Sequence, residues 1–171
     1  MLQDCTRVMS SPSGELFSSL LYRVRELNQL PRNPDGEFVL YWMTACRRYH
    51  HNAALERCIQ IALEMEKPLL IVEPVSIRHR WSSDRILTFF AQGLIDNNAI
   101  FEAKGLSYVP WVETHKETGN GLFRRLSRKS CAVVIDNYPT YLPRDIMDRA
   151  SEICLVGLEA VDSNGILPMD L

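Results

Sequence analysis

The sequence has no apolar run near the ~18 residues of a membrane-spanning helix; its longest, residues 68–75, is strand-sized. It has no excess charge of one sign: 19 Lys and Arg against 21 Asp and Glu leave a formal net charge of −2. Whole-chain charge therefore predicts no attraction to nucleic acid, and only a local basic patch would supply one. The five cysteines, at 5, 46, 58, 131 and 154, form no C-x-x-C pair and lack metal-ligand spacing. The first 30 residues lack a basic segment followed by an apolar one, as a secretory signal would require. The expectation is a cytoplasmic protein with reduced thiols, some of them in the core, and no membrane partner.

Signatures of chemistry are missing too. There is no G-x-S-x-G elbow and no G-x-x-x-x-G-K-[ST] loop, and no G-x-G-x-x-G follows the first apolar strand. Glu73 and Asp84 stand singly rather than as an acid/base pair. His50 and His51 are adjacent, so on a helix they point about 100° apart and chelate poorly. His79 and His115 are isolated. No catalytic residue and no metal ligand is assigned. Cys46 lies beside Arg47 and Arg48, an arrangement that would lower a thiol pKa; an unreactive loop or core thiol is the competing reading.

What is present is alternation of strand and helix patterns. Residues 1–15 form a loose leader, with SSPSG at 10–14 as the breaker, and one domain occupies 16–171. Leu16, Leu20, Leu21, Val24, Leu27 and Leu30 recur at helical steps, so an amino-terminal helix is expected up to Pro31 and the NPDG turn at 33–36. Strands are expected at 38–43, 68–72, 107–112, 131–135 and 153–161. Helices are expected at about 50–65, from a Ser82-Ser83-Asp84 start to Gly105, at 122–128, and from Pro143 to about 151. On the third of these helical segments' predecessor, Ile86, Leu87, Phe90, Leu94, Ile95 and Phe101 are expected to line the inner face. The pattern predicts an α/β domain with a mostly parallel sheet and right-handed crossovers.

In such a sheet ligands bind beyond the carboxyl ends of the strands, where strand order reverses. The segments there include 44–51, 73–81, 113–120, 136–142 and 162–164. Arg47 and Arg48 could hold an anionic group near the next helix's start. Asp136 and Tyr138 could hydrogen-bond or stack on a flat ligand, and Tyr49, Trp81 and Tyr141 are further loop aromatics. The competing reading is that all are ordinary solvated loop residues.

Several segments resemble a known family. Residues 23–28 (RVRELN) and 34–43 (PDGEFVLYWM) are similar to the amino-terminal region of class II DNA photolyases. The photolyase/cryptochrome superfamily carries R-D-x-R-x-x-D-N-x-A-L after its first strand. This chain matches at Arg48, Asn52, Ala54 and Leu55 and departs at Ala45, Cys46 and His51. Residues 136–144 resemble the family's D-x-x-P…P-R segment, and 161–168 resemble the V-D-x-x-x-I-x-P that leads into its interdomain linker.

The resemblance covers about residues 23–168. It implies a Rossmann-like five-stranded parallel sheet of order 3-2-1-4-5, with helices on both faces and the amino-terminal helix besides. It implies a deoxyribodipyrimidine photo-lyase as the parent protein. FAD would belong to a carboxyl-terminal helical domain absent from this chain, and damaged DNA would be reached only through that domain. The α/β domain would hold a deazaflavin or folate antenna, with Arg47, Arg48, Asn52, Asp136 and Tyr138 as candidate contacts. Alone, the chain would not split pyrimidine dimers. The changes at Ala45, Cys46 and His51 favour a second expectation, a stand-alone or degenerate binding module without catalytic activity. A nucleotide-binding α/β enzyme of another superfamily is weaker still, because the phosphate loop is missing.

Overall fold

The computed structural model describes residues 20–77, 80, 82–113 and 121–169. The expected leader, and Arg78, His79, Trp81 and His115, lie outside the described residues. The apolar run at the end of the NPDG turn becomes β2 (Phe38–Trp42), the centre of the sheet. Its side chains alternate between two cores. Val39, Tyr41 and Met43 enter one, and Leu40 and Trp42 the other. Helices cover both faces, which is why the strand carries no solvent-facing polar position.

The first core is closed by α1 (Ala53–Met65) and α2 (Asp84–Ala103), through Ala54, Leu55, Cys58, Ile61 and Phe101. The second is closed by α3 (Leu122–Lys129) and α4 (Tyr141–Ile153), through Phe123, Met147 and Ala150. The strands β3 (Leu69–Val75), β4 (Ser107–Val112), β5 (Ser130–Asn137) and β6 (Leu158–Asp162) join β2 in parallel, in the order β4-β3-β2-β5-β6. Counted from β2, this is the order 3-2-1-4-5. The reversal point lies between β2 and β5.

The segment read as an amino-terminal helix differs. Val24–Glu26 is a strand, β1, antiparallel to β6, and it makes the sheet six-stranded. Asp162 N–H donates to Arg23 O, Leu27 N–H to Leu158 O, and the Asn28 side chain bridges Val156 O and Leu158 N. An open edge on β6 offers a full row of backbone partners, and that outweighs a weak local helical preference. Of the spaced leucines, Leu20 is in the first core and Leu27 packs on the second, whereas Leu21 and Leu30 are exposed.

Other boundaries moved for local reasons. The helix expected from His50 begins at Ala53, because His51 takes a left-handed φ of 52° and Asn52 caps the helix by accepting from Leu55 N–H. Residue 153, expected to open the last strand, ends α4, since Met147, Ala150 and Cys154 continue one buried stripe. Ser83 caps α2 and Gly105, at φ 67°, follows its end, as read from the sequence. The inner face of α2 is narrower than expected. Leu94, Asn97 and Phe101 are buried, whereas Ile86 and Ile95 are exposed. This helix packs on the edge strand β4, and only its second half meets the core.

One acid is built into the sheet. Glu159 on β6 is clamped by Arg57 of α1 at 2.6 and 3.0 Å and by Arg32 at 2.8 Å. Burial pushes its carboxyl up, and the hydrogen bonds from Arg57 and Arg32 more than reverse that, so its pKa is lowered. A carboxyl depressed on folding stabilises fully above its unfolded value of about 4.3 and loses that contribution as pH falls through the folded value. Glu159→Gln is expected to lower stability by about 2 kcal/mol at pH 7. It should also flatten the loss of stability below about pH 4. Urea midpoints measured from pH 7 to pH 3 check both effects. A variant with the wild-type acid profile would show that the clamp contributes nothing to it.

Candidate functional site at the carboxyl ends of β2 and β5

After Trp42 the chain turns back over the sheet, and the backbone N–H groups of Thr44, Ala45 and Cys46 converge. All three donate to Asp136 Oδ2, at 2.7, 2.7 and 3.1 Å. Successive N–H groups of this kind form an anion-binding nest. Here the nest is filled by a side chain of the domain itself. Asp136 Oδ1 accepts from Tyr41 Oη at 2.7 Å, and the side chain of Asn52 reaches Tyr41 Oη at 3.1 Å, Cys46 O at 3.1 Å and Arg48 O at 2.9 Å. Tyr41 is fully buried, and burial, the Asp136 charge and their hydrogen bond push its pKa well up. It therefore stays a neutral donor. Asp136 was expected in a loop; instead β5 continues to Asn137 and places Asp136, 1% exposed, at its end.

Arg47 anchors the turn from the other side. Its guanidinium contacts Glu73 at 3.1 Å, Pro74 O at 2.9 Å and Thr44 O at 3.1 Å, and it lies over the Phe90 ring. Glu73 also accepts from Asn97 at 2.9 Å and from Tyr108 Oη at 2.6 Å. Burial and the hydrogen bond and charge of Glu73 raise the Tyr108 pKa, so this phenol too remains a donor. Every oxygen of Glu73 is thus engaged within the fold.

Arg48 is exposed and contacts His51 O at 3.2 Å and Ser163 O at 3.3 Å. Ser163 Oγ accepts from Ala54 N–H, and Asn164 donates to Asn137 O, so the loops after β2, β5 and β6 meet at this edge. Tyr138 is half-buried just beyond β5. The five sequence candidates therefore fall at one end of the sheet. Arg47, Asn52 and Asp136 have their polar atoms engaged inside the protein, and exposed Arg48 and half-buried Tyr138 lie at the rim.

Cys46 differs from the activated reading. Burial raises its pKa, Asp136 adds to this, and the opposing pull of Arg48 is smaller. Burial raises Cys58, Cys131 and Cys154 as well; these four thiols are free and buried, hence inert. Among the loop aromatics, Tyr49 packs edge-on to Phe101 against the first core, and Tyr141 is exposed. Reasoning from sequence missed Tyr41, Asn97 and Ser163. Tyr41 did carry a signal: a hydroxyl inside an apolar strand needs a buried partner.

No family model matches the chain. The chain is 27% identical over 148 residues to a deoxyribodipyrimidine photo-lyase of Methanothermobacter thermautotrophicus. The alignment covers 86% of this chain, and the chain spans 32% of that relative's length. Among solved structures it is similar to a putative universal stress protein from Pseudomonas aeruginosa UCBPP-PA14, with a TM-score of 0.57, 12% identity, and coverage of 89% of this chain and 56% of that one. It is equally similar, at a TM-score of 0.57 and 11% identity over 89% of this chain and 56% of that one, to a functionally unknown protein from Pseudomonas aeruginosa PAO1. These structures share the α/β fold. The sequence relation to a photolyase runs over most of the chain. Among the described residues no helix is long and apolar enough to cross a membrane.

Proposed function

We propose that residues 16–171 act as the α/β domain of a class II-like DNA photolyase, positioning a light-harvesting antenna beside a carboxyl-terminal flavin domain. The observation that carries this reading is the 27% identity to a photolyase over 86% of the chain. The parent would be a deoxyribodipyrimidine photo-lyase; FAD and lesion recognition would belong to the flavin domain, and this domain's task is placement rather than bond chemistry.

The filled nest narrows where an antenna fits. With Asp136 inside it, the groups left for a ligand at the rim are the exposed Arg48 guanidinium, whose Nη2 already meets two backbone carbonyls, and the Tyr138 ring. They suit a flat heteroaromatic ring with an anionic tail, such as a deazaflavin or a folate, lying on the rim. We assign Arg48 and Tyr138 as antenna contacts and Arg47, Asn52 and Asp136 as positioning residues that shape the turn beneath them.

Purified domain titrated with deazaflavin and with folate, read by absorbance, tests this. One of the two is expected to bind, and Arg48→Gln to weaken it about tenfold, the loss of one charge-assisted hydrogen bond. Binding of neither compound by folded protein would sink the antenna role. It would favour the second reading, a photolyase-like interaction module without photochemistry, which the residues Ala45, Cys46 and His51 support.

A further inference from the structure

The solvent side of α2 carries a stripe that the antenna reading does not use. Arg85, Phe89, Gln92, Gly93 and Asp96 recur at steps of three and four residues, so they share one face of the helix. The side turned to the domain bears Leu94, Asn97 and Phe101, more than about a third of a turn away. Phe89 is 71% exposed, whereas its neighbour Phe90 is half-buried beneath the Arg47 guanidinium.

The domain's own packing does not account for these residues. A Cβ on Gly93 would meet nothing within 4 Å, so no neighbour requires a glycine there, and glycine is a poor residue for a helix interior. Arg85 stands in the first turn, where a cation opposes the helix dipole. Among the described residues, Arg85 and Asp96 make no ion pair and no side-chain hydrogen bond. They are eleven residues apart, about 16 Å along the axis, too far to pair within one helix.

We propose that this face pairs with its counterpart in a second copy of the chain, as an antiparallel contact between the two α2 helices about a two-fold axis. The charges select that direction. With the axis near residues 90–91, Phe89 lies over Gly93 of the second copy, where the missing side chain leaves a notch. The same axis brings Arg85 within one residue of Asp96 of the second copy. Symmetry repeats each contact, giving a self-complementary patch of the kind a two-fold dimer uses. A parallel pair would instead set Arg85 on Arg85 and Asp96 on Asp96. Antiparallel helices also oppose their dipoles favourably. Pairing through the open edge of β4 is a poorer route to a dimer, because Pro110 blunts that strand. A contact made by one helix falls below the roughly 800 Å² per partner of a stable interface, so the dimer is weak and depends on concentration. The proposal rests on α2 alone and is independent of the antenna role.

The test is sedimentation velocity of the full chain in reducing buffer, from about 5 to 500 µM, the range that brackets a weak dimer. The dimer fraction is expected to rise across that range and to fall with added salt, which screens the ion pairs. Phe89→Ala is expected to weaken association by about tenfold or more. Arg85→Glu and Asp96→Arg are each expected to weaken it by about fivefold or more, since each sets like charges together. The double variant R85E/D96R is expected to return to within about twofold of the wild type. Such rescue has to come from the other copy, because the two positions cannot meet within one helix. A cooperative melt of each variant at the lowest concentration shows that it remains folded. A wild type that stays monomeric throughout, or a double variant as weak as its two single losses combined, would overturn the proposal.

Discussion

Asp136→Ala is expected to destabilise the domain by about 4 kcal/mol. Its carboxylate accepts from Tyr41 Oη and from the N–H groups of Thr44, Ala45 and Cys46, and the site is largely shielded from water, with Tyr41 wholly buried, Cys46 6% exposed and Ala45 half-buried. Removing the acceptor leaves four donors without it, each worth about 1–3 kcal/mol if it stays dry, less whatever the turn recovers by relaxing. Tyr41→Phe removes one donor and leaves the nest intact, so it should cost only about 1 kcal/mol. Urea denaturation of both variants checks the ranking, and hydrogen exchange at residues 44–46 checks the cause: protection should vanish in the first variant and survive in the second.

An emptied nest is also an anion site. Sulfate in the millimolar range is expected to recover part of the stability of Asp136→Ala, by binding the native state alone, and to do nothing comparable for Tyr41→Phe. If Asp136→Ala costs under about 1 kcal/mol, the carboxylate is not what holds the turn. The outcome bears on function, because the reversal point of the sheet is where a ligand is expected and this domain supplies its own anion there.

The second large effect comes from Gly36. A Cβ at this position would stand 2.3 Å from Cys131 N, 2.5 Å from Ser130 C and 2.6 Å from Cys131 Cα. These are backbone atoms of the central strand β5, so no rotamer change relieves the overlap. The 33–36 turn would have to lift from β5, and two flanking bonds would break with it: Asn33 N–H to Cys131 O at 2.8 Å and Glu37 N–H to Lys129 O at 2.7 Å. Gly36→Ala is expected to cost more than about 3 kcal/mol, combining strain with two lost hydrogen bonds. Gly93→Ala is the contrast. A Cβ there meets nothing within 4 Å, and the residue lies inside α2, so the same substitution should stabilise by about 0.5–1 kcal/mol. Thermal melts of both variants settle the pair; equal shifts of the same sign would show that local propensity, not close approach, governs Gly36.

Gly36 illustrates how far reading in one dimension reaches. In the sequence it is the last residue of an NPDG turn, and that turn is present. Nothing local says that β5, ninety-odd residues later, presses against it. Asp136 is similar. As a strand-end acid followed by turn formers it reads as a loop residue free to meet a ligand. Its partners come from residues 41–46, at separations of 90–95 residues, and they make it a strut.

The alternation of apolar runs and capped helices determined by itself the α/β class, four of the helices, five of the six strands and the parallel core. Periodicity and capping act within a turn or a strand, so they are written locally. Tertiary structure alone decided three things. It made residues 24–26 a strand, because β6 would otherwise keep an open edge. It left Ile86 and Ile95 in solvent, because the first half of α2 lies off the core and the second half turns only its Leu94, Asn97 and Phe101 side inward. It turned Asp136 from a candidate ligand contact into the acceptor of the nest. In each case the deciding contact spans distant parts of the chain, and its energy depends on which groups are left unpaired when the layers close.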